Sequence, residues 1–168
     1  MQPDYKFCPR CAGNLQSRFA EGRERLVCEK CEFIFYQNPT PAVAVILQKH
    51  DEILLVKRKF EPCAGTWSLP AGFVEIGEGP EMCAIREAKE ETNLDIALNG
   101  LFGVYPAMDD PRSQVVLIVY RGLIKDGEMR PGDDAVEAQF FHLEQLPKNI
   151  SFDSHRKVLA ALRQERIK

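Results

Sequence analysis

The stretch GFVEIGEGPEMCAIREAKEETNL, residues 72–94, decides how this chain is read. Pro80 stands where a first helical residue is favoured, and Asn93 can take the left-handed conformation that ends a helix. A helix is therefore expected from Pro80 to about Thr92. Positions three or four apart share a helix face. Glu87, Glu90 and Glu91 project together, while Ala84, Ile85, Ala88 and Thr92 form a less polar stripe suited to packing on a sheet. Like charges at that separation destabilise a bare helix, so something must offset them. Hydrated Mg2+ or Mn2+ is the usual partner of an all-oxygen cluster. The alternative is a solvated acidic face with Arg86 and Lys89 as partners, Arg86 reaching Glu90 at i,i+4.

Upstream of this helix, AVAVILQ (42–48) and EILLVKR (52–58) are nearly continuous apolar runs suited to buried strands, joined by a KHDE turn. FEPCAGTW (60–67) is a loop with Pro and Gly. Downstream, strands are expected near 101–105, 114–124 and 136–142, and a last helix over 154–166. The link YQNPTP (36–41) reads as a joint between modules.

Before that joint lie FCPRC and VCEKC, which place Cys8 and Cys11, then Cys28 and Cys31, as two C-x-x-C pairs. Tetrahedral Zn2+ takes four thiolates, and a short hairpin between the two turns brings them together. This is the spacing of a zinc ribbon, in which the metal supplies much of the folding free energy. Cys63 and Cys83 lack such partners and read as small buried residues. His50, His142 and His155 are isolated and form no nucleophilic triad with a serine.

With 168 residues, 45% of them hydrophobic, the chain can bury one main core and a small appendage. A net charge of -3 gives no general attraction to nucleic acid or anionic membrane, so neither is an expected partner. Its apolar runs fall far short of the roughly 20 residues of a membrane helix. The start, MQPDYKFCPR, has no apolar signal core, and a soluble cytoplasmic protein is expected.

Gly72, Glu78, Arg86, Glu87, Glu90, Glu91 and Leu94 fall on a pattern that resembles the Nudix box, G-x(5)-E-x(7)-R-E-U-x-E-E-x-G-U, with U a bulky aliphatic residue. Ala88 departs from it where a larger aliphatic is common, and Asn93 replaces the last glycine, a swap that preserves the helix end. WSLPAG before the box and VEAQFFHLEQLP after it extend the resemblance over about residues 40–168. It implies an α/β/α sandwich with a mixed sheet, preceded by a zinc ribbon, with the ribbon over 1–36 and the Nudix domain over 37–168. The implied activity is hydrolysis of a nucleoside diphosphate linked to another moiety, with a small-molecule nucleotide as substrate. Many members pair, so a homodimer is compatible with the resemblance.

Carried over by that resemblance, Glu87 and Glu91 are the best ligands for Mg2+ or Mn2+. Glu90 comes next, and the Ala71 carbonyl is a further ligand. Arg86 would orient the acids, and Glu78 would fix the loop that enters the helix. The general base is expected to be a helix acid, with Glu137 next against a strand-edge charge as its plainer role; Asp133 and Asp134 are the other acids of PGDDAVEAQFF (131–141). Arg58, flanked by Lys57 and Lys59, is a candidate phosphate contact. Phe33, Phe35, Tyr36 and Tyr105 offer flat surfaces for a base, against core packing as the plainer role. Trp67 reads as a core anchor.

The ribbon is similar to that of the subgroup acting on NADH, FAD or ADP-ribose. Members specific for NADH carry S-Q-P-W-P-F-P-x-S shortly after the box, where this chain has GVYPAMDDPRSQVV (103–116). The loss of that run speaks against a dedicated NADH enzyme without excluding weak activity. YQNP, KRKFEPCAGTWSLPAGFVEIGE and SFDS resemble zinc-ribbon Nudix enzymes that act on FAD or ADP-ribose, which are the substrates the resemblance implies. The competing readings are a hydrolase of nucleoside triphosphates or capped RNA, and a module that binds an ADP-ribose-like ligand without turnover. RNA affinity would collapse with salt, whereas binding of a chelated dinucleotide follows the metal.

Overall fold

The computed structural model describes residues 5–109 and 114–166. Residues 110–113, within the GVYPAMDDPRSQVV stretch, lie outside the described residues. Two compact units divide the chain between Pro39 and Thr40.

In the first unit, β1 (Leu15–Ala20) and β2 (Arg23–Cys28) form an antiparallel hairpin, and β3 (Ile34–Phe35) pairs with β2. Each C-x-x-C turn points a backbone N–H at its first sulfur: Arg10 to Cys8 and Lys30 to Cys28, both at 3.4 Å. The hairpin register sets Leu15 opposite Cys28 and so carries one turn toward the other. Among the described residues its buried cluster is Cys8, Leu15 and Cys28, with Cys11, Leu26, Phe33 and Phe35 packed against them; Val27 is also buried. So small a core fits a module that depends on a metal for its stability.

The second unit is a mixed sheet covered on both faces. Its strands are β4 (Thr40–Lys49), β5 (Glu52–Arg58), the short β6 (Trp67–Ser68) and β7 (Ala71–Phe73), β8 (Asp95–Ala107), β9 (Val115–Asp126) and β10 (Ala135–His142). The order is β10-β5-β4-β9-β8, with β6 beside β5 and β7 beside β4. β4 and β9 run parallel, and the other pairs are antiparallel.

Alternation along β4 explains the layers. Ala42, Ala44 and Ile46 join Ile53, Leu55, Leu117 and Val119 under helix α2 (Asp153–Arg166), which contributes Val158, Leu159 and Leu162. Val43, Val45 and Leu47 face the other way, with Leu54 and Tyr120, toward Cys83, Ala84 and Ala88 of helix α1 (Pro80–Thr92). A strand buried on both faces reads as a continuous apolar run, as β4 does. Among the described residues no helix is long and apolar enough to cross a membrane.

Two sequence expectations change in detail. Ile85, expected in the packing stripe of α1, is 42% exposed, and Cys83 takes the buried place with Ala84, Ala88, Glu91 and Thr92. The helix is rotated so that one of its acids, not Ile85, turns inward. The strand expected near 101–105 is the long β8, which begins directly after the helix and absorbs Asn99 and Gly100 as an irregularity between Leu98 and Leu101.

Candidate active site

Helix α1 starts at Pro80 and ends at Asn93, whose φ of 60° is left-handed and whose N–H bonds the Lys89 carbonyl. The helix lies beside β7, and the contact between them builds the centre of the site. Glu91 is only 4% exposed and accepts a hydrogen bond from the Ala71 N–H at 3.0 Å. Glu87 sits against Gly72, where there is no room for a Cβ. Residues 71 and 72 thus hold two acids of the helix from one short strand.

Arg86 supplies the partners that the helix pattern had left open. Its Nη1 donates to Glu87 at 2.7 Å and to Glu90 at 2.9 Å. Its Nη2 and Nε donate to Glu78 at 2.6 and 3.2 Å, and Nη2 also reaches the Phe73 carbonyl at 3.2 Å. Glu78 in turn accepts from the Glu75 N–H at 2.9 Å, which ties the loop before α1 to the helix. Arg86 holds Glu78 down at about 2. Cys83 is buried, donates to the Phe73 carbonyl at 3.2 Å and accepts from Arg86, so its thiol is a strut of the same loop.

One guanidinium does not balance this charge. Burial pushes Glu91 up to about 8; the Ala71 amide opposes the shift, Glu87 adds to it, Arg58 opposes it and Asp134 adds to it. Burial raises Glu87 as well, against the pull of Arg86. Among the described residues Glu91 has no cation within ion-pair reach. A buried carboxylate ionises in such a place only when a cation joins it. An all-oxygen donor set fits a hard divalent ion of the Mg2+ or Mn2+ type.

Asp134 arrives from the far side. The segment before it docks on the C-terminal end of α1: Arg130 N–H bonds the Thr92 carbonyl at 3.0 Å, and Gly132 N–H bonds the Glu91 carbonyl at 3.3 Å. A Cβ on Gly132 would stand 2.6 Å from the Glu90 carbonyl oxygen, so only glycine permits the approach. The Lys59 N–H bonds the Asp134 carbonyl at 2.8 Å and fixes the other end.

The remaining candidates are spread out. Glu137 lies in β10 opposite Lys57 and accepts from its Nζ at 2.8 Å, so its carboxylate is held in an exposed ion pair. Arg58 ends β5, with its Nε on the Pro62 carbonyl at 3.0 Å. Tyr105 packs with Phe102, ring centroids 6.4 Å apart, on the α2 side of the sheet. Phe35 packs on Tyr5 at 4.6 Å within the first unit, where Phe33 lies under Arg10 and Tyr36 under Arg25. Trp67 is buried edge-on to Phe141 at 4.8 Å. His155 is buried, accepts from the Leu69 N–H at 3.2 Å, and is lowered to about 4 by burial, then by Arg58 and Arg156. Sequence alone puts Glu137 ahead of Asp134, because the docking of the Asp134 segment on the helix is made by backbone bonds that leave no mark in the sequence.

In the first unit the sulfurs of Cys8, Cys11, Cys28 and Cys31 lie within 4.8 Å of one another, with Cys8 to Cys31 at 3.8 Å and Cys11 to Cys28 at 3.5 Å. A tetrahedral site with Zn–S of about 2.3 Å sets its sulfurs about 3.8 Å apart. The four thiols bracket that edge, from Cys11 to Cys31 at 3.3 Å up to no more than 4.8 Å.

A sandwich with an acid-bearing helix held against a short strand, and a four-cysteine module ahead of it, defines the class. Residues 38–162 match the NUDIX domain and residues 6–37 the Nudix N-terminal zinc ribbon, so the chain belongs to the Nudix hydrolase family. It is 46% identical over 129 residues to the ADP-ribose pyrophosphatase of Methanocaldococcus jannaschii, covering 76% of this chain and 75% of that one. It is 32% identical over 145 residues to the NAD-capped RNA hydrolase of Pseudomonas aeruginosa, covering 84% of this chain and 49% of that one. The chain thus spans about half the length of that relative. A crystal structure of a NUDIX hydrolase from Nitrosomonas europaea superposes with a TM-score of 0.85 at 34% identity, over 97% of this chain and 93% of that one.

Proposed function

We propose that the chain hydrolyses the pyrophosphate bond of a nucleoside diphosphate joined to a second moiety, ADP-ribose or FAD above all, to two phosphate monoesters. The observation that carries this reading is the pairing of Glu91 with Ala71 and of Glu87 with Gly72, which sets one buried and one half-buried acid against the same short strand. Likeness to an ADP-ribose pyrophosphatase over three quarters of both chains supports the substrate class.

Mg2+ or Mn2+ is the proposed cofactor, with Glu87 and Glu91 as ligands, Glu90 next and the Ala71 carbonyl beside them. Such an ion neutralises the diphosphate and lowers the pKa of a coordinated water. Arg86 orients Glu87 and Glu90, and Glu78 holds Arg86. A carboxylate of this cluster takes the proton from the attacking water. Asp134 joins the helix acids in that role ahead of Glu137, because the latter is engaged by Lys57. Within the second unit, Tyr105 remains the proposed surface for the base. Zn2+ on the four cysteines is structural. A cytoplasmic location and a homodimer complete the reading.

A hydrolysis panel of ADP-ribose, FAD, NADH and NAD-capped RNA with Mg2+ and Mn2+, run in 18O-labelled water, tests it. AMP carrying or lacking the label, together with the partner phosphate, identifies the bond and the phosphorus attacked. No turnover of any diphosphate would overturn it.

A further inference from the structure

Three basic residues end β5, and two of them are committed. Lys57 donates to Glu137 at 2.8 Å and lies over Trp67, while Lys59 reaches the Asp133 carbonyl and the Phe60 ring. Arg58 is different. Its Nε donates to the Pro62 carbonyl at 3.0 Å, and its guanidinium lies 5.2 Å from the centre of the Phe152 ring. Those two contacts fix the plane of the group. Among the described residues neither terminal nitrogen has an acceptor, and no carboxylate lies within ion-pair reach.

The contrast with Arg86 is informative. That side chain is saturated by Glu78, Glu87 and Glu90, whereas Arg58 is held rigid and keeps its two parallel donors. The backbone around it is also fixed. Arg58 N–H bonds the Thr66 carbonyl, Gly65 N–H bonds the Arg58 carbonyl, and the Thr66 hydroxyl meets that of Ser151 at 2.7 Å. Ser151 directly precedes Phe152, so the same connection sets both the arginine and the ring over it. Arg58 stands opposite Ala135 across β5 and β10, and the Lys59 N–H bonds the Asp134 carbonyl, so the arginine ends its strand beside the segment that docks on Glu91 through Gly132.

We propose that Arg58 is a preset fork that grips one phosphate of the substrate through both terminal nitrogens, and that Phe152 and the Pro62 carbonyl are the groups that position it. This rests on the reading of the chain as a diphosphate hydrolase, and it names the anion contact in that site. Guanidinium and phosphate match in a two-bond geometry that an ammonium cannot reproduce. Holding the guanidinium in advance removes part of the ordering that binding would otherwise require.

Calorimetric titration of inorganic pyrophosphate with Mg2+, alongside steady-state kinetics on ADP-ribose, tests the fork. Arg58→Lys is expected to weaken pyrophosphate binding and raise KM by about 10- to 100-fold, with kcat within about threefold. Phe152→Leu is expected to do the same by about three- to tenfold, and Phe152→Tyr to restore the wild-type value. Thermal unfolding of each variant separates these effects from loss of fold. Arg58→Lys binding pyrophosphate as wild type does, or losing kcat at unchanged KM, overturns the proposal while leaving the hydrolase reading intact. Arg58-dependent pyrophosphate binding without turnover of ADP-ribose upholds the fork and removes the substrate instead.

Discussion

Glu87 lies so close over Gly72 that a Cβ at residue 72 would fall 2.0 Å from its Oε1 and 2.4 Å from its Oε2. The carboxylate cannot stay where it is beside any other residue type. Strand β7 therefore sets the position of an acid on α1 through the lack of a side chain.

Gly72→Ala should displace Glu87 and lower kcat/KM by about 100-fold or more, since small misplacements of reacting groups cost that much. The fold should persist, because the clash is with the end of a flexible side chain. Activity within tenfold of wild type would show that Glu87 works equally well elsewhere.

Glu91→Gln separates function from stability. Gln keeps an acceptor for the Ala71 N–H and removes a charge that burial disfavours. Glu91 is raised in the folded state, to about 8, so its burial stabilises least as pH rises through that value. Metal-free Glu91→Gln should thus unfold at an equal or higher temperature than wild type at pH 8.5, while its turnover falls by about two orders of magnitude or more. A variant less stable than wild type there, or still active, would contradict the assignment.

Asp134→Asn should lower kcat by about 10- to 1,000-fold and Glu137→Gln by less than about threefold. Reversed magnitudes would return the general base to β10.

His155 predicts an acid-labile core. Its pKa falls to about 4 when folded, against 6.5 ordinarily, so the unfolded chain binds the proton first and stability drops as pH falls from 6.5 toward 4. The full shift is worth about 3 kcal/mol. Glu91 has the opposite slope over part of this range, so the comparison is between wild type and His155→Gln, followed by the fluorescence of Trp67, the single tryptophan. Parallel pH curves for the two proteins would remove His155 as the cause.

Metal analysis should find one Zn2+ per chain, and Cys28→Ser should lose it. Hydrogen exchange should then speed up across β1 and β2, with Trp67 fluorescence unchanged. Protein purified without zinc, yet protected in the hairpin, would refute a structural metal.

Much of this molecule is written locally. Pro80 and Asn93 bound the helix from sequence because their backbone preferences act at single positions. The paired C-x-x-C turns announce four sulfurs around one ion, and the apolar runs of β4 and β5 announce strands buried on both faces. Spacing also placed Glu87, Glu90 and Glu91 on one side of α1.

Tertiary structure decided what each of those groups does. The rotation of α1 on the sheet buried Glu91 and exposed Ile85, a choice that 100° steps along a helix leave to packing. Backbone N–H and C=O groups, which every residue carries alike, brought the Asp134 segment to the helix and tied Trp67 to Asn149 and Ser151, beside Phe152. Cross-strand register put Lys57 on Glu137 and gave that acid an ion-pair partner. Such contacts join residues far apart in the chain, through backbone groups common to every residue or through pairs that strand register sets, so only the folded molecule reveals them.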